Sequence, residues 1–201
     1  MCNTSSPKTV ILFIHGLCGK IDRMLPDMKH FSDAGYACAC FDMRGHGNSV
    51  TNGRSRPEWL QRFTSNLYNK EFHNEWYQAW ICSDLMERKR FFEDPECNYI
   101  CASDYLLTLL QLMKETYSKK GWHVTNPSLP ILFISGEHDS CMLSIKDLHR
   151  SAGFMNTVGY TDVHSVIYAG MRHEVLNEIG KEYIWNEIEN FISISGEHRD
   201  D

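Results

Sequence analysis

The sequence predicts an α/β fold, a shortened parallel sheet of about four strands flanked by helices and carrying a helical insertion. Three observations predict it. Thr9 to Asp42 reads strand, helix, strand; residues 57 to 121 show helical patterning with no strand of comparable strength; and strand–helix patterning returns at Pro130.

Thr9-Val-Ile-Leu-Phe-Ile-His15 is a continuous β-branched and aromatic run, which reads as a strand buried on both faces. Ile21 to Ala34 is helix-like around Met24, Leu25, Met28 and Phe31 and stops at Gly35. Tyr36 to Phe41 reads as a second buried strand, which completes a βαβ unit with a right-handed crossover. In the insertion, Glu75 to Phe92 and Ser103 to Lys119 read as helices rich in aromatics and methionine. That apolar stripe is either the insertion's own core or the lining of an apolar pocket. Pro130 to Ser135 is a third strand, Leu143 to Ser151 a short helix and Val163 to Ala169 a fourth strand. Glu174 to Ile194 closes the chain as an amphipathic helix, with Val175, Leu176, Ile179, Tyr183, Ile184, Ile188 and Phe191 inward. The charged end after Gly196 reads as a frayed tail.

Composition removes several function classes. The chain has 201 residues, is 42% hydrophobic and carries 20 basic against 26 acidic residues, a formal net charge of −6. With no basic stripe, nucleic-acid binding is excluded as the main task. The apolar run Val10 to Ile14 falls far short of the roughly 20 residues that span a bilayer, and no secretory signal is read, so the expectation is a soluble cytoplasmic protein. Eight cysteines without a CxxC pair read as reduced, mostly buried thiols rather than a disulfide framework, and no spacing predicts a metal.

Ligands of a parallel sheet bind beyond the carboxyl ends of its strands. Those ends read His15-Gly16-Leu17-Cys18-Gly19, Asp42-Met43-Arg44-Gly45-His46-Gly47-Asn48-Ser49, Ser135-Gly136-Glu137-His138-Asp139-Ser140 and Gly170-Met171-Arg172-His173. Each carries glycine with His, Asp or Arg, whereas the amino ends carry nothing comparable, so one edge of the sheet is the expected site.

These same elements resemble the α/β-hydrolase fold family, in particular its monoacylglycerol lipase, lysophospholipase and serine aminopeptidase branch. The resemblance rests on Ile-Leu-Phe-Ile-His15-Gly16, Arg44-Gly-His46-Gly-Asn-Ser49, Ser135-Gly-Glu-His-Asp139 and Arg172-His173, in family order over nearly the whole chain. It implies a hydrolase core in two parts, 1–56 and 122–196, a cap at 57–121 and a tail at 197–201. It further implies Asp139 as triad acid, His173 as triad base and the Leu17 N–H, after His15-Gly16, as an oxyanion donor; Arg44 and His46 support the site loop. The implied substrate is a lipid-like or small ester, with no cofactor.

The third triad member has no counterpart. No GxSxG, GxCxG or GxDxG occurs in the sequence, and only positions 50 to 56 lie between Ser49 and the start of the cap at Pro57. A strand–elbow–helix unit needs roughly 30 residues or more. Ser49, Ser135, Ser140, Cys18 and Cys141 are the nearest hydroxyls and thiols, and no strained turn presents any of them, so the nucleophile stays unidentified. The expectation is an inactive or severely impaired ester hydrolase. The alternatives are a non-catalytic acyl- or partner-binding module and an incomplete gene product. Strand one must then pair with strand three or leave an edge open to self-association.

Overall fold

The computed structural model describes residues 8–16, 19–43, 46–47, 49, 58–97 and 103–197. Strands β1 (Val10–Phe13) and β2 (Ala37–Cys40) pair in parallel, Val10 opposite Ala37 and Phe13 opposite Cys40. Between them a 3₁₀ turn, Ile21–Met24, runs into α1 (Leu25–Asp33), with a proline in its first turn. The helix ends as the sequence predicts. Gly35 takes φ +95°, its N–H donates to the Ser32 carbonyl, and the Tyr36 N–H reaches back to Phe31. This is a Schellman ending, and its usual apolar contact is present: the buried Phe31 and Tyr36 rings meet edge to face, centroids 6.0 Å apart.

After β2 come α2 (Glu58–Tyr68), a 3₁₀ turn at Lys70–Phe72, α3 (Leu85–Glu93) and α4 (Ser103–Thr116). Helix α3 is shorter than its expected span of 75 to 92. Tyr77 and Gln78 sit at φ +60° and +49°, which no α-helix accommodates. The helix starts only where Asp84 caps it, its Oδ1 accepting from the Met86 and Glu87 N–H groups at 2.8 and 3.3 Å. The aromatic stripe therefore splits. Phe91 and Ile81 enter a small core with Cys82 and Cys97, while Trp76 and Met86 are exposed.

The last part contains β3 (Ile131–Gly136), α5 (Ile145–Val158), β4 (Val163–Tyr168), a 3₁₀ turn at Val175–Asn177 and α6 (Glu182–Glu197). Strands β3 and β4 pair in parallel over their full length, Ile131 with Val163 through Gly136 with Tyr168. Tyr168, Met171, Val175 and Ile184 form the core beneath them, with Ile134, Val166 and Ile188 packed around it. The closing helix is broken where one span was expected. Gly180 adopts φ +84°, and of the residues expected to point inward, Ile179 and Tyr183 are exposed.

The largest difference from expectation is in the sheet. Among the described residues β1 pairs only with β2 and β3 only with β4, giving two two-stranded ribbons in place of one four-stranded sheet. Nor is β1 buried on both faces. Phe13 lies against Phe31, their rings 6.0 Å apart, but Val10, Leu12 and Ile14 are more than half exposed on the opposite face. Helices α1 and α6 hold the two halves together. Trp185 of α6 donates to the buried Asp27 carboxylate at 2.8 Å and stacks on His30 at 4.4 Å.

Candidate active site

Asp139 and His173 meet. They sit in the loops that leave β3 and β4, and the end of β3 makes the approach possible. An added Cβ at Gly136 would collide with the backbone carbonyls of Met171 and Arg172, so only glycine lets the two loops pack this closely. Backbone hydrogen bonds then knit the loops: the Glu137 N–H donates to the Tyr168 carbonyl and the His138 N–H to the Met171 carbonyl, both at 2.9 Å.

His173 Nδ1 lies 3.0 Å from Asp139 Oδ1. The same oxygen accepts from the Cys141 N–H at 2.8 Å, and Oδ2 accepts from the Ser135 hydroxyl at 2.9 Å. With both oxygens engaged and only 9% of its side chain exposed, the carboxylate is fixed. Burial works to raise the Asp139 carboxyl, but His173 and these donors outweigh it and hold it below the ordinary carboxylate value. Burial likewise disfavours charge on His173. Its bond to Asp139 and the neighbouring Cys141 sulfur prevail, and the imidazole is pushed up to about 10 although 38% of its side chain is exposed.

The segment between α2 and α3 supports the loop that carries His173. The His173 N–H donates to the Trp80 carbonyl at 3.4 Å and the Glu174 N–H to Ile81 at 2.7 Å, while the Trp80 ring lies 5.1 Å from the imidazole. Arg172 is clamped by Glu75 at 2.8 Å and by the Ala79 carbonyl at 2.6 Å, and its guanidinium covers the Phe72 ring at 4.0 Å. Arg172, with Arg88, holds the Glu75 carboxyl below its ordinary value. The buried Glu178 accepts from the Ser83 N–H at 2.9 Å, the Ser83 hydroxyl and the Arg172 N–H at 2.8 Å.

His15 belongs to a second cluster. Its Nε2 accepts from the Met43 N–H at 3.0 Å and its Nδ1 faces the Gly16 carbonyl at 2.9 Å, which fixes the Nδ1–H tautomer. The ring packs on the buried His46 at 5.0 Å. Asp42 completes the turn by accepting from the Ile21 N–H at 3.0 Å. With both nitrogens engaged locally, His15 shapes the loop. Leu17, Cys18 and Arg44 lie outside the described residues.

Of the hydroxyls and thiols considered as substitutes for the nucleophile, Ser135 is buried and spends its proton on Asp139, and Ser49 is exposed. Cys141 is different. One ligand atom from each of Asp139, Cys141 and His173 lies within 4.8 Å of the others. The sequence shows the Asp-x-Cys spacing, but nothing in it brings His173 to that thiol or lays Trp80 against the ring. Two open cavities of about 450 and 530 Å³ lie elsewhere; the first is lined by charged residues including Lys20, Arg23 and Asp94, the second by Asn66, Asn69, Lys70 and His73. Neither is lined by Asp139 or His173. No described helix is long and apolar enough to cross a membrane.

Comparison with known proteins agrees with this architecture. The family model for serine aminopeptidase, S33, matches residues 5–68 and 51–180. No curated protein sequence matches the chain. Similar solved structures include a highly thermostable carboxyl esterase from Bacillus coagulans, at 15% identity and TM-score 0.77, covering 94% of this chain and 91% of the esterase. A soluble variant of monoglyceride lipase from Saccharomyces cerevisiae aligns at 15% identity and TM-score 0.65, over 96% of this chain and 90% of that one. A monoacylglycerol lipase from Paleococcus ferrophilus aligns at 14% identity and TM-score 0.66, over 94% and 96%. The shared fold is that of the α/β-hydrolases.

Proposed function

The chain belongs to the serine aminopeptidase family, S33, and on that footing we propose that it keeps the acid and base of a serine-hydrolase triad without the nucleophile, so that ester turnover is lost or severely impaired. The observation that carries this reading is the Asp139–His173 hydrogen bond at 3.0 Å in a sequence that contains no GxSxG elbow. A base acts on a hydroxyl within hydrogen-bond reach, and the elbow that would present one also supplies the second oxyanion donor. Losing the nucleophile from a working triad lowers turnover on the order of 10⁶-fold, leaving about 10³–10⁴ over water.

The ligand in this reading is a lipid-like or small ester, as the neighbours' chemistry suggests. A cytosolic setting fits the five described cysteines, all free thiols. Assay of a short-chain nitrophenyl ester tests the proposal: turnover at the level of a buffer blank is expected, and turnover that is absent from a mock purification and abolished by His173→Ala overturns it.

A second reading, a non-catalytic acyl-binding module, is favoured by the exposed apolar residues Val10 and Leu12 on β1, Ile14 just after it, and Leu107, Leu110 and Met113 on α4. A panel of fatty acids should then raise the unfolding midpoint in a concentration-dependent way. No shift across the panel removes this reading.

A further inference from the structure

We propose that Asp139, Cys141 and His173 together form a binding site for a divalent transition-metal ion, with zinc as the fitting ion. A carboxylate oxygen, a thiol sulfur and an imidazole nitrogen converge within 4.8 Å of one another. Tetrahedral zinc, at roughly 2.3 Å from sulfur and about 2.0–2.2 Å from nitrogen and oxygen, places its ligand atoms about 3.3–3.7 Å apart. Asp139 Oδ1 and His173 Nδ1 are already 3.0 Å apart. Side-chain shifts on the order of 1 Å bring the three donors into range.

The donor chemistry selects the ion. Magnesium and calcium take oxygen ligands, whereas a thiolate with an imidazole and one carboxylate suits zinc. The surroundings are those of a supported site. Asp139 and Cys141 lie on one turn, tied by the Cys141 N–H at 2.8 Å, and the Ser135 hydroxyl steadies the other carboxylate oxygen at 2.9 Å. The Trp80 ring at 5.1 Å restricts rotation of the imidazole. His173 is partly exposed, so an ion reaches the site from solvent and a water completes the fourth position. On binding, zinc takes the place of the proton between Asp139 and His173 and of the Cys141 thiol proton, and both protons pass to water.

Metal binding at these three side chains requires no ester substrate. Its test is titration of the reduced, chelator-treated full chain with cobalt(II), then competition with zinc(II). Expected are one equivalent of tightly bound cobalt, a near-ultraviolet thiolate-to-cobalt charge-transfer band, and displacement of that band by zinc. Cys141→Ser should remove the band and His173→Gln should weaken binding by at least about tenfold. Absence of the band, or an unchanged band in Cys141→Ser, overturns the proposal. If Cys141→Ser fails to fold, mass spectrometry of the unaltered chain decides: zinc should slow alkylation of Cys141 while magnesium does not, and equal alkylation overturns the proposal. No arm reads ester turnover, so the zinc site and the missing nucleophile fail separately.

Discussion

The imidazole of His173 holds its proton against partial burial because the Asp139 carboxylate sits 3.0 Å from Nδ1. Its affinity for the proton is raised from 6.5 to about 10, so the charged ring contributes stability that is complete below about 6.5 and is lost as pH rises through about 10. Asp139 moves the other way. Its carboxyl is lowered, so its contribution is present above the ordinary carboxylate value and lost as pH falls through the lowered one. Proton NMR of the His173 ring should show the imidazolium persisting well above neutral pH. Asp139→Asn should return its titration toward the ordinary histidine value; a ring that titrates normally in the unaltered chain refutes the pairing. This pair was legible in the sequence, since both residues stand in family motifs at the carboxyl ends of strands. Cys141 was legible only as a thiol near the edge, because its closeness to His173 depends on how two loops pack. His15 was legible as a turn-shaping residue, and its two local hydrogen bonds account for that role.

Elements with a strong local signal appear where the sequence puts them. Strands β3 and β4 follow their β-branched runs, and α1 stops at Gly35 because the Schellman turn requires positive φ. The sequence predicts a longer α3 because Trp76, Tyr77 and Trp80 mimic helical spacing, whereas the chain turns at Tyr77–Gln78 and Arg172 clamps Glu75 and Ala79 in a non-helical segment. The loops after β3 and β4 depend on Gly136. Gly136→Ala should destabilise the fold by at least about 2 kcal/mol, measured by denaturant unfolding, and should weaken the Asp139–His173 pairing. A variant as stable as the parent contradicts the close packing. The α1–α6 contact has its own pH signature. Burial raises the Asp27 carboxyl to about 6 against the Trp185 N–H that lowers it. A raised carboxyl keeps its proton in the fold after the unfolded chain has lost it, so stability falls as pH rises from about 3.8 to about 6. Asp27→Asn keeps an acceptor for Trp185 and should be more stable than the parent at neutral pH by about 3 kcal/mol. Equal pH dependence of the two proteins, followed by thermal unfolding, contradicts the burial argument.

At the scale of the whole molecule, the strand patterning predicts the short parallel α/β arrangement that the structure shows, but not that the four described strands pair as two separate ribbons. Periodicity identifies a strand but not its neighbours, and β1 reads as doubly buried because its residues suit a wider sheet than the one the described chain forms. Its open face, with Val10, Leu12 and the following Ile14 exposed, and the ribbon edges left unpaired among the described residues lead us to propose self-association. Sedimentation should find concentration-dependent oligomers that Leu12→Lys shifts toward monomer; a clean monomer at all concentrations contradicts this. The central claim is that the triad's acid and base stand without a nucleophile. Its most direct measurement is mass-spectrometric mapping of the chain after treatment with a fluorophosphonate. The expected result is no serine labelled above the level of the heat-unfolded protein. Stoichiometric phosphonylation of a single serine, lost in His173→Ala, would contradict it.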